Sequence, residues 1–269
     1  MTIKKSQLVT HDGSFHADEV TAVALLLLYK IVDSNQLEII RTRNIDLIKQ
    51  ADIVLDVGGI HDIKTCRFDH HQIKDGQVSS VGMVWSWIKQ KTCEESPEID
   101  AFVLAIDKHD CGIEKMSDFS FTAIIAAYNC ADLFNEKQQQ LAFYDAFKMA
   151  LKFLTHLQKK QLQLKRSAKI IAVSEVKEIG KNKVLILSEY APSWPDLVHG
   201  ESKYTEITHV LWFVKEKNQW CIQIPSDKKN SFVMGHPKLN DDDNAIFIHQ
   251  NGFFGVYKSK EAFFDMLGQ

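Results

Sequence analysis

Histidine and aspartate residues follow several of the short apolar runs in this sequence. The set comprises His11, His16 and Asp18, then Asp56, then Asp69, His70 and His71, and finally Asp107. Imidazole and carboxylate groups are common ligands of divalent transition-metal ions in proteins. If folding brings these residues together, they form a cage for a pair of divalent cations.

Two divalent cations a few ångströms apart suit hydrolysis at phosphorus, because they activate a water molecule and stabilise an in-line displacement. Three carboxylates, those of Asp18, Asp56 and Asp107, bring about −3 against about +4 from two cations. The remaining charge of about +1 would attract a phosphate and offset the charge of its transition state. Mixed imidazole and carboxylate ligands favour manganese, with cobalt, zinc or magnesium as alternatives.

Alternating strands and helices must position these residues. The sequence predicts strands at 7–10, 37–40 and 53–57 and helices at 17–32, 45–50, 80–92 and 97–108. Such alternation is typical of a parallel sheet covered by helices. Ligands of open parallel sheets bind beyond the carboxyl ends of the strands, which is where His11, Asp56 and His70 fall.

Each of these signals also has a simpler explanation. A tandem His70-His71 is more often a surface feature than a ligand pair, and an aspartate after a strand, such as Asp56, is commonly a cap or turn residue. His11-Asp12-Gly13 fits a polar turn. Because the signals recur after successive predicted strands, we favour a metal site over a series of independent turns.

The second half of the chain has a different pattern. Residues 136–178 contain no Pro or Gly and are compatible with a helix, in which we expect a bend or break because of its length. Strands are predicted at 184–188, 208–214, 220–224 and 245–249, and a last helix at 260–267. The strands on either side of residues 215–219 are expected to form a hairpin.

The predicted fold is α/β, with a mostly parallel sheet and flanking helices, followed by a smaller α+β domain. The predicted boundaries are 1–135 for a metal-binding catalytic domain, 136–180 for a helical connector and 181–269 for a substrate-binding domain.

The composition predicts a cytoplasmic protein. The 269 residues are 45% hydrophobic and 25% charged, and the net charge of −3 gives no chain-wide basic signal for nucleic acid. Five cysteines without a C-x-x-C pair argue against a disulfide framework or a thiolate zinc site. The apolar run 22–29 is shorter than the roughly 20 residues of a membrane span, and the N-terminus lacks the apolar core of a secretory signal. We therefore expect no membrane partner.

Six stretches of the chain carry a family resemblance. They are residues 10–19 (THDGSFHADE), 56–59 (DVGG), 68–71 (FDHH), 79–85 (SSVGMVW), 107–112 (DKHDCG) and 247–255 (FIHQNGFFG). In this order they resemble the Myg-type branch of the DHH phosphoesterase superfamily, a branch of predicted metal-dependent hydrolases that includes eukaryotic RNA exonucleases. The first and third stretches are specific, whereas DVGG alone is a weak signal. The resemblance implies a DHH-type fold.

The resemblance also implies two metal positions that share Asp56. One metal would be held by His11, His16 and Asp56. The second would be held by Asp18, Asp56, His70 and Asp107. His16 stands where the wider superfamily usually has a carboxylate, a feature that the Myg-type branch shares. Cys111 stands where the branch often has Asn, which leaves Asp107 and Asp110 as alternatives for one ligand.

Other matching residues would act on the substrate. By the same resemblance, His71 would contact the scissile phosphate or help to protonate the leaving oxygen, beside the bridging Asp56. Asp69 would orient a histidine, a function that metal-site imidazoles usually need. His249, Gly252 and Gly255 resemble a substrate-binding element, although ordinary turn chemistry explains the two glycines equally well.

A basic stripe is predicted on the long helix. Lys148, Lys152, Lys159 and Arg166 lie at intervals of four and seven residues and thus on one face. Lys159 and Arg166 are the candidates for contact with a nucleic-acid backbone. The alternative is a solvated face opposite the apolar positions of the helix.

The combined signals predict a phosphodiesterase that uses two divalent cations, acting as an exonuclease on short single-stranded RNA or DNA. A small-molecule phosphohydrolase acting on pyrophosphate, a cyclic dinucleotide or a nucleotide is an alternative. A non-enzymatic module with a structural metal is less consistent with the sequence, because structural zinc sites are usually rich in cysteine. A homodimer is left open.

Overall fold

The computed structural model describes residues 6–74, 76–115, 117–198, 204–225, 239 and 243–268. The chain divides into two compact units, Met1–Lys159 and Lys160–Gln269. The predicted three-part division, with boundaries after residues 135 and 180, stays a prediction.

The first unit contains a five-stranded sheet. Its strands are β1 (Ser6–Thr10), β2 (Leu37–Arg41), β3 (Ile53–Leu55), β4 (His61–Asp62) and β5 (Arg67–Phe68). Their order is β2-β1-β3-β5-β4, and only the β4–β5 pairing is antiparallel among these strands. The predicted α/β fold with a mostly parallel sheet is confirmed.

Helices cover both faces of this sheet. They are α1 (Ala17–Leu28), α2 (Ile45–Gln50), α3 (Ser80–Thr92), α4 (Pro97–Asp110), α5 (Phe121–Ala126) and the start of α6 (Glu136–Ala172). Successive side chains of a strand point to opposite faces. Leu8 accordingly belongs to the large core that contains α1 and α3, whereas its neighbour Val9 packs with Ile48 of α2.

Helix α1 begins at the first of the predicted metal-ligand motifs and runs through the core. His16 is its N-cap, and the Glu19 carboxylate accepts a hydrogen bond from the backbone N–H of His16 at 2.9 Å. Ten of its 12 residues are buried, as expected of a helix that is apolar on all sides. It ends at Leu28, earlier than predicted, where Lys30 adopts a left-handed backbone conformation with φ 54°.

Helices α3 and α4 pack very closely at Gly82. A Cβ atom at this position would overlap the Asp107 carboxylate and a methyl group of Val78. The same carboxylate accepts hydrogen bonds from the backbone N–H and the hydroxyl of Ser79, at 2.9 and 2.8 Å. Glycine at 82 therefore lets a buried carboxylate reach the start of α3.

The second unit contains the end of α6 and a mixed six-stranded sheet. Its strands are β6 (Glu175–Ile179), β7 (Asn182–Ile186), β8 (His209–Val214), β9 (Gln219–Gln223), β10 (Ala245–Ile248) and β11 (Phe254–Tyr257). Their order is β10-β11-β9-β8-β7-β6, and β7–β8 is the parallel pair. Helices α7 (Trp194–Val198) and α8 (Lys260–Gly268) complete its described part. The predicted α+β character and the β8–β9 hairpin are confirmed.

The long helical stretch differs from expectation at two points. Helix α6 is continuous over its 37 residues, so the expected break is not found between residues 136 and 172. Residues 175–178, predicted to be helical, belong to strand β6. Gly180, with φ 56°, forms the turn that lets β6 pair with β7, and this pairing outweighs the local helix propensity.

We predict that Gly82→Ala destabilises the protein although alanine is the better helix former. Helix propensity alone would give a gain of about 1 kcal/mol. Overlap with a carboxylate fixed by Ser79 should outweigh this gain and leave a net loss of about 1–2 kcal/mol. Urea unfolding measures the difference, with Gly268→Ala as the control because a Cβ there meets no atom within 4 Å. A Gly82→Ala variant as stable as wild type would contradict the proposed close packing.

Candidate metal centre

The carboxyl ends of three neighbouring parallel strands supply most of the candidate site. His11 follows β1, Asp56 follows β3, and the Asp69-His70-His71 segment follows β5. The N-terminal end of α1 adds His16, which is its N-cap, and Asp18 and Glu19, which lie in its first turn. Residues far apart in the sequence thus meet at one edge of the sheet.

Asp56 lies at the centre of this group. One carboxylate oxygen lies 3.3 Å from His11 Nε2, and the other lies 3.2 Å from His70 Nε2 and 3.5 Å from His71 Nδ1. The backbone of Asp56 is left-handed, with φ 55°, and its N–H donates to the carbonyl of Phe68. Aspartate is among the few residues other than glycine that tolerate this conformation.

The side chains form three overlapping groups of potential metal ligands. The groups are His11 with His16, Glu19 and Asp56; Asp56 with His70 and His71; and His16 with Asp18 and Asp110. Within each group the ligand atoms lie within 4.8 Å of one another. Asp56 and His16 each belong to two groups, which is the arrangement that neighbouring cations with shared ligands require.

The buried carboxylate of Asp18 is evidence that this set of donor atoms fits cations. Both of its oxygens are buried and have no hydrogen-bond partner. Burial of a carboxylate without a partner is very unfavourable, so the group requires a proton or a cation. The mixture of imidazole and carboxylate donors around it fits divalent transition-metal ions.

The pKa values of His11, His70 and Asp18 are shifted because several ionisable groups lie close together. Burial alone would lower the pKa of His11, but hydrogen bonds to Asp56 and Glu19 outweigh it and raise the pKa to about 10. Contacts with Asp110 and Asp56 raise the pKa of His70 to about 10. Burial raises the pKa of Asp18, and repulsion from Asp56, Glu19 and Asp110 adds to this effect.

Asp107 and Asp110 occupy different surroundings. Asp110 lies 3.1 Å from His70 Nε2 and belongs to the group with His16 and Asp18. Asp107 instead accepts its hydrogen bonds from Ser79 and belongs to none of the potential metal groups found among the described residues. The structure therefore brings Asp110, rather than Asp107, together with the other predicted ligands.

Asp69 is bound to its neighbours rather than exposed to the cavity. One of its oxygens accepts from His71 N–H at 3.0 Å and lies 2.8 Å from His71 Nδ1, and the other accepts from Gly59 N–H at 2.7 Å. Because a carboxylate only accepts, the Nδ1 atom of His71 carries the proton in this contact. Its Nε2 atom is left for other partners, and the His71 side chain is 64% exposed.

A cavity of about 400 Å³ opens at this group. His16, Asp56, His70, His71 and Asp110 contribute to its wall. Ala17, Ile106, His109 and Thr122 complete the lining. A volume of this size accommodates a small ligand or one residue of a polymer.

Glu19 is a site residue that the sequence analysis missed. It is fully buried, and its carboxylate lies 3.2 Å from His11 Nε2. A glutamate three residues after an N-cap is the signature of a capping box, and this spacing from His16 is the signal in the sequence. The same carboxylate thus caps α1 and joins the candidate metal group.

The predicted substrate residues of the second unit have local structural roles. Gly252, with φ 68°, forms a turn in which its N–H donates to the His249 carbonyl. A Cβ atom at Gly255 would come within 2.9 Å of Leu239. These contacts explain the glycines by turn geometry and packing, and substrate contact at His249, Gly252 and Gly255 stays a prediction.

The two basic residues predicted to bind nucleic acid differ in their partners. Arg166 donates to Glu189 at 3.0 Å, and both side chains are largely exposed. Lys159 is exposed on α6. Part of the positive charge of the predicted stripe is therefore already paired, and its contact with nucleic acid stays a prediction.

Comparison with known families gives the same result as the motifs. Residues 7–269 match the family model MYG1_exonuc, described as an uncharacterised protein family (UPF0160). The chain belongs to this family. The predicted membership of the Myg-type branch is thereby confirmed.

Proteins from distant organisms share this similarity over nearly the whole chain. A MYG1 protein from Chlamydia pneumoniae is 40% identical, covering 94% of this chain and 92% of the relative. The human protein named MYG1 exonuclease is 26% identical, covering 96% and 83%. A solved structure of a pGpG-specific phosphodiesterase from Vibrio cholerae covers 98% of this chain and 99% of its own at 13% identity. Its TM-score of 0.34 is too low to support a structural argument.

Among the described residues, no helix combines the length and apolar character needed to cross a membrane. The five cysteines are free thiols in the structure.

We predict that binding of a divalent cation releases protons at pH 7. His11 and His70, with pKa values of about 10, carry protons at this pH, and an imidazole must lose its proton to become a ligand. Calorimetric titration with manganese in two buffers of different ionisation enthalpy measures the number released. The apparent affinity should rise from pH 6 to pH 9, because fewer protons then compete. An affinity independent of pH would show that these imidazoles are not ligands.

Proposed function

We propose that the protein is a phosphodiesterase that uses two divalent cations, most simply manganese, and acts as an exonuclease on short single-stranded nucleic acid. The observation that carries this proposal is the convergence of imidazoles and carboxylates on Asp56, next to the unpaired buried carboxylate of Asp18. Membership of a family whose relatives include proteins named MYG1 exonuclease supports hydrolysis of phosphodiester bonds.

Two overlapping ligand sets would hold the cations. His11, His16 and Asp56 would form the first, with Glu19 as an additional donor. Asp18, Asp56, His70 and Asp110 would form the second, in which His70 Nε2 lies 3.2 Å from Asp56 and 3.1 Å from Asp110. Bound there, divalent cations would supply Lewis-acid chemistry, which neutralises charge on a phosphate and lowers the pKa of water. In this proposal Asp110, rather than its alternative Asp107, is the ligand contributed by α4.

Asp107 would then act through α3 rather than on a cation. Its hydrogen bonds to Ser79 fix the first turn of this helix, and the neighbouring Ser80 hydroxyl lies 3.2 Å from an Asp56 oxygen. The same hydroxyl lies 2.7 Å from the Phe68 carbonyl oxygen. Asp107 would thus help to keep the bridging carboxylate in place.

His71 would move the proton of the reaction. Asp69 fixes its ring through Nδ1, so Nε2 can reach a phosphate oxygen or the leaving oxygen. A protonated imidazole could donate to the leaving oxygen, and a neutral one could accept a proton from water. The exposed position of His71 suits contact with a substrate that enters from solvent.

The size of the candidate cavity also fits a second class of substrate, namely small phosphorylated molecules. A volume of about 400 Å³ suits a nucleotide, pyrophosphate or part of a cyclic dinucleotide as well as the end of a strand. Substrate contact by Lys159, Arg166 and the His249–Gly255 element would favour the polymer.

We also propose a cytoplasmic location, which the free cysteines support. A homodimer is an alternative to a monomer.

We predict that Asp56→Asn abolishes hydrolysis without unfolding the protein. Asparagine tolerates the left-handed backbone at this position but removes the charge that both cations share. The assay compares a labelled single-stranded oligonucleotide, a cyclic dinucleotide and pyrophosphate, with manganese and after chelation. Circular dichroism serves as the folding control. Unchanged hydrolysis by Asp56→Asn would refute the proposed centre.

We predict that Asp110→Asn and Asp107→Asn separate binding of the cation from support of the site. Loss of a ligand at Asp110 should weaken manganese binding by at least about tenfold and leave stability nearly unchanged. Asp107→Asn should mainly lower stability, because it disturbs the buried contacts with Ser79. Calorimetry and thermal unfolding of both variants give the comparison. The opposite pattern would return Asp107 to the position of ligand.

A further inference from the structure

The loop that carries His11 and His16 has few bonds within itself. His11 Nδ1 donates to the carbonyl of Asp12 at 2.8 Å, which leaves Nε2 to face the other candidate ligands. Gly13 adopts φ 77°, and a Cβ atom there would meet nothing within 4 Å. The loop therefore needs contacts from elsewhere in the first unit to hold its two histidines at a fixed spacing.

Asn129, from the segment after α5, holds the middle of this loop. Its Oδ1 atom accepts from Phe15 N–H at 2.9 Å, and its Nδ2 atom donates to the Phe15 carbonyl at 2.9 Å. This pair of bonds satisfies both backbone groups of the residue immediately before His16, in the way that a paired strand would.

Gln139, in the first turn of α6, connects Asn129 to the start of the loop. Its Nε2 atom donates to the Gly13 carbonyl at 3.0 Å and to Asn129 Oδ1 at 3.1 Å. Its Oε1 atom accepts from Cys130 N–H at 2.9 Å. The side chain is 1% exposed, so all of its polar atoms have protein partners in a dry environment.

Arg41, at the end of β2, approaches the same loop. Its guanidinium donates to the Gly13 carbonyl at 2.6 Å and lies over the rings of Phe15 and Phe143, 5.3 and 5.2 Å from their centroids. Gly13 thus has two donors on one carbonyl, and Phe15 is fixed by its ring as well as by its backbone.

We infer that Asn129, Gln139 and Arg41 are positioning residues for the metal centre, which together fix the spacing of His11 and His16. This inference rests on the proposed function, since it concerns the ligands of the proposed cations. The three side chains touch the loop and not the candidate ligand atoms. They act by holding the loop, before any cation binds, in the conformation in which both imidazoles face Asp56.

Gln139→Met and Gln140→Met make a matched pair of variants for a test. Gln140 is the next residue of the same helix, and its Nε2 atom donates to the Ile39 carbonyl of β2 at 3.1 Å rather than to the loop. Both substitutions keep the length of the side chain and remove an amide. Asn129→Ala is a second variant at a partly exposed position, in case Gln139→Met does not fold.

Three measurements on the full chain separate positioning from a general loss of stability. Calorimetry should show manganese binding weakened about tenfold in Gln139→Met and Asn129→Ala relative to Gln140→Met. Hydrogen exchange of the cation-free protein should be faster at residues 12–16 in the same two variants. At saturating manganese, kcat should return to within about twofold of wild type, because the ligands themselves are unchanged.

Equal manganese affinity and equal exchange in all three variants would overturn the inference and leave the proposed hydrolase intact. A loss of activity in Gln139→Met that saturating manganese does not restore would also overturn it. If the wild-type protein binds manganese but hydrolyses none of the substrates, the proposed function fails, while the affinity and exchange comparisons still decide the positioning of the loop. Absence of manganese binding in the wild-type protein would refute both.

Discussion

Repulsion among buried carboxylates is the constraint on which the candidate site depends. Asp18 and Glu19 are buried in the first turn of α1 and Asp56 at the end of β3, and Asp110 lies close to them. Without cations, protons must supply the compensating charge, and the pKa values of His11, His70 and Asp18 are accordingly raised by their surroundings. Divalent cations would replace these protons. The site is thus built to hold positive charge in either state.

The participation of Glu19 and Asp110 changes the charge expected from the sequence alone. With Asp18, Glu19, Asp56 and Asp110 ionised, the cage carries about −4, so two cations leave a net charge of about zero rather than +1. Attraction of a phosphate then depends less on net charge and more on local donors. His71 is suited to this task, because it lies at the exposed side of the cage with Nε2 free of Asp69.

The regular elements could be predicted from the sequence because their periodicity and buried faces agree. Strands β1 and β3, helices α2 and α3 and the β8–β9 hairpin lie close to where the pattern predicts them. Strands β4 and β5 have two residues each, too few to show alternation, and β6 is defined by its pairing with β7 across the turn at Gly180. The candidate ligands divide in the same way, into those that the sequence pattern locates and those that it does not. His11 follows a predicted strand and Asp56 lies near the end of another, whereas no pattern predicts β5, which His70 follows. The choice between Asp107 and Asp110 depends on the packing of α4 against α3. The absence of a side chain at Gly82 lets the Asp107 carboxylate reach the start of α3, and no local pattern in the sequence reveals this close contact.

Two requirements apply at position 56, one from the backbone and one from the site, and aspartate meets both. The turn after β3 is left-handed there, which costs about 1–2 kcal/mol for most side chains and less for aspartate and asparagine. The centre also needs a short carboxylate with one oxygen toward His11 and the other toward His70. Glycine would satisfy the backbone but supply no ligand, and asparagine would supply no charge. Glutamate would meet the charge requirement with a longer side chain and without the backbone tolerance. The backbone of the turn and the chemistry of the site therefore select the same residue, and this agreement ties the local fold after β3 to the proposed sharing of two cations.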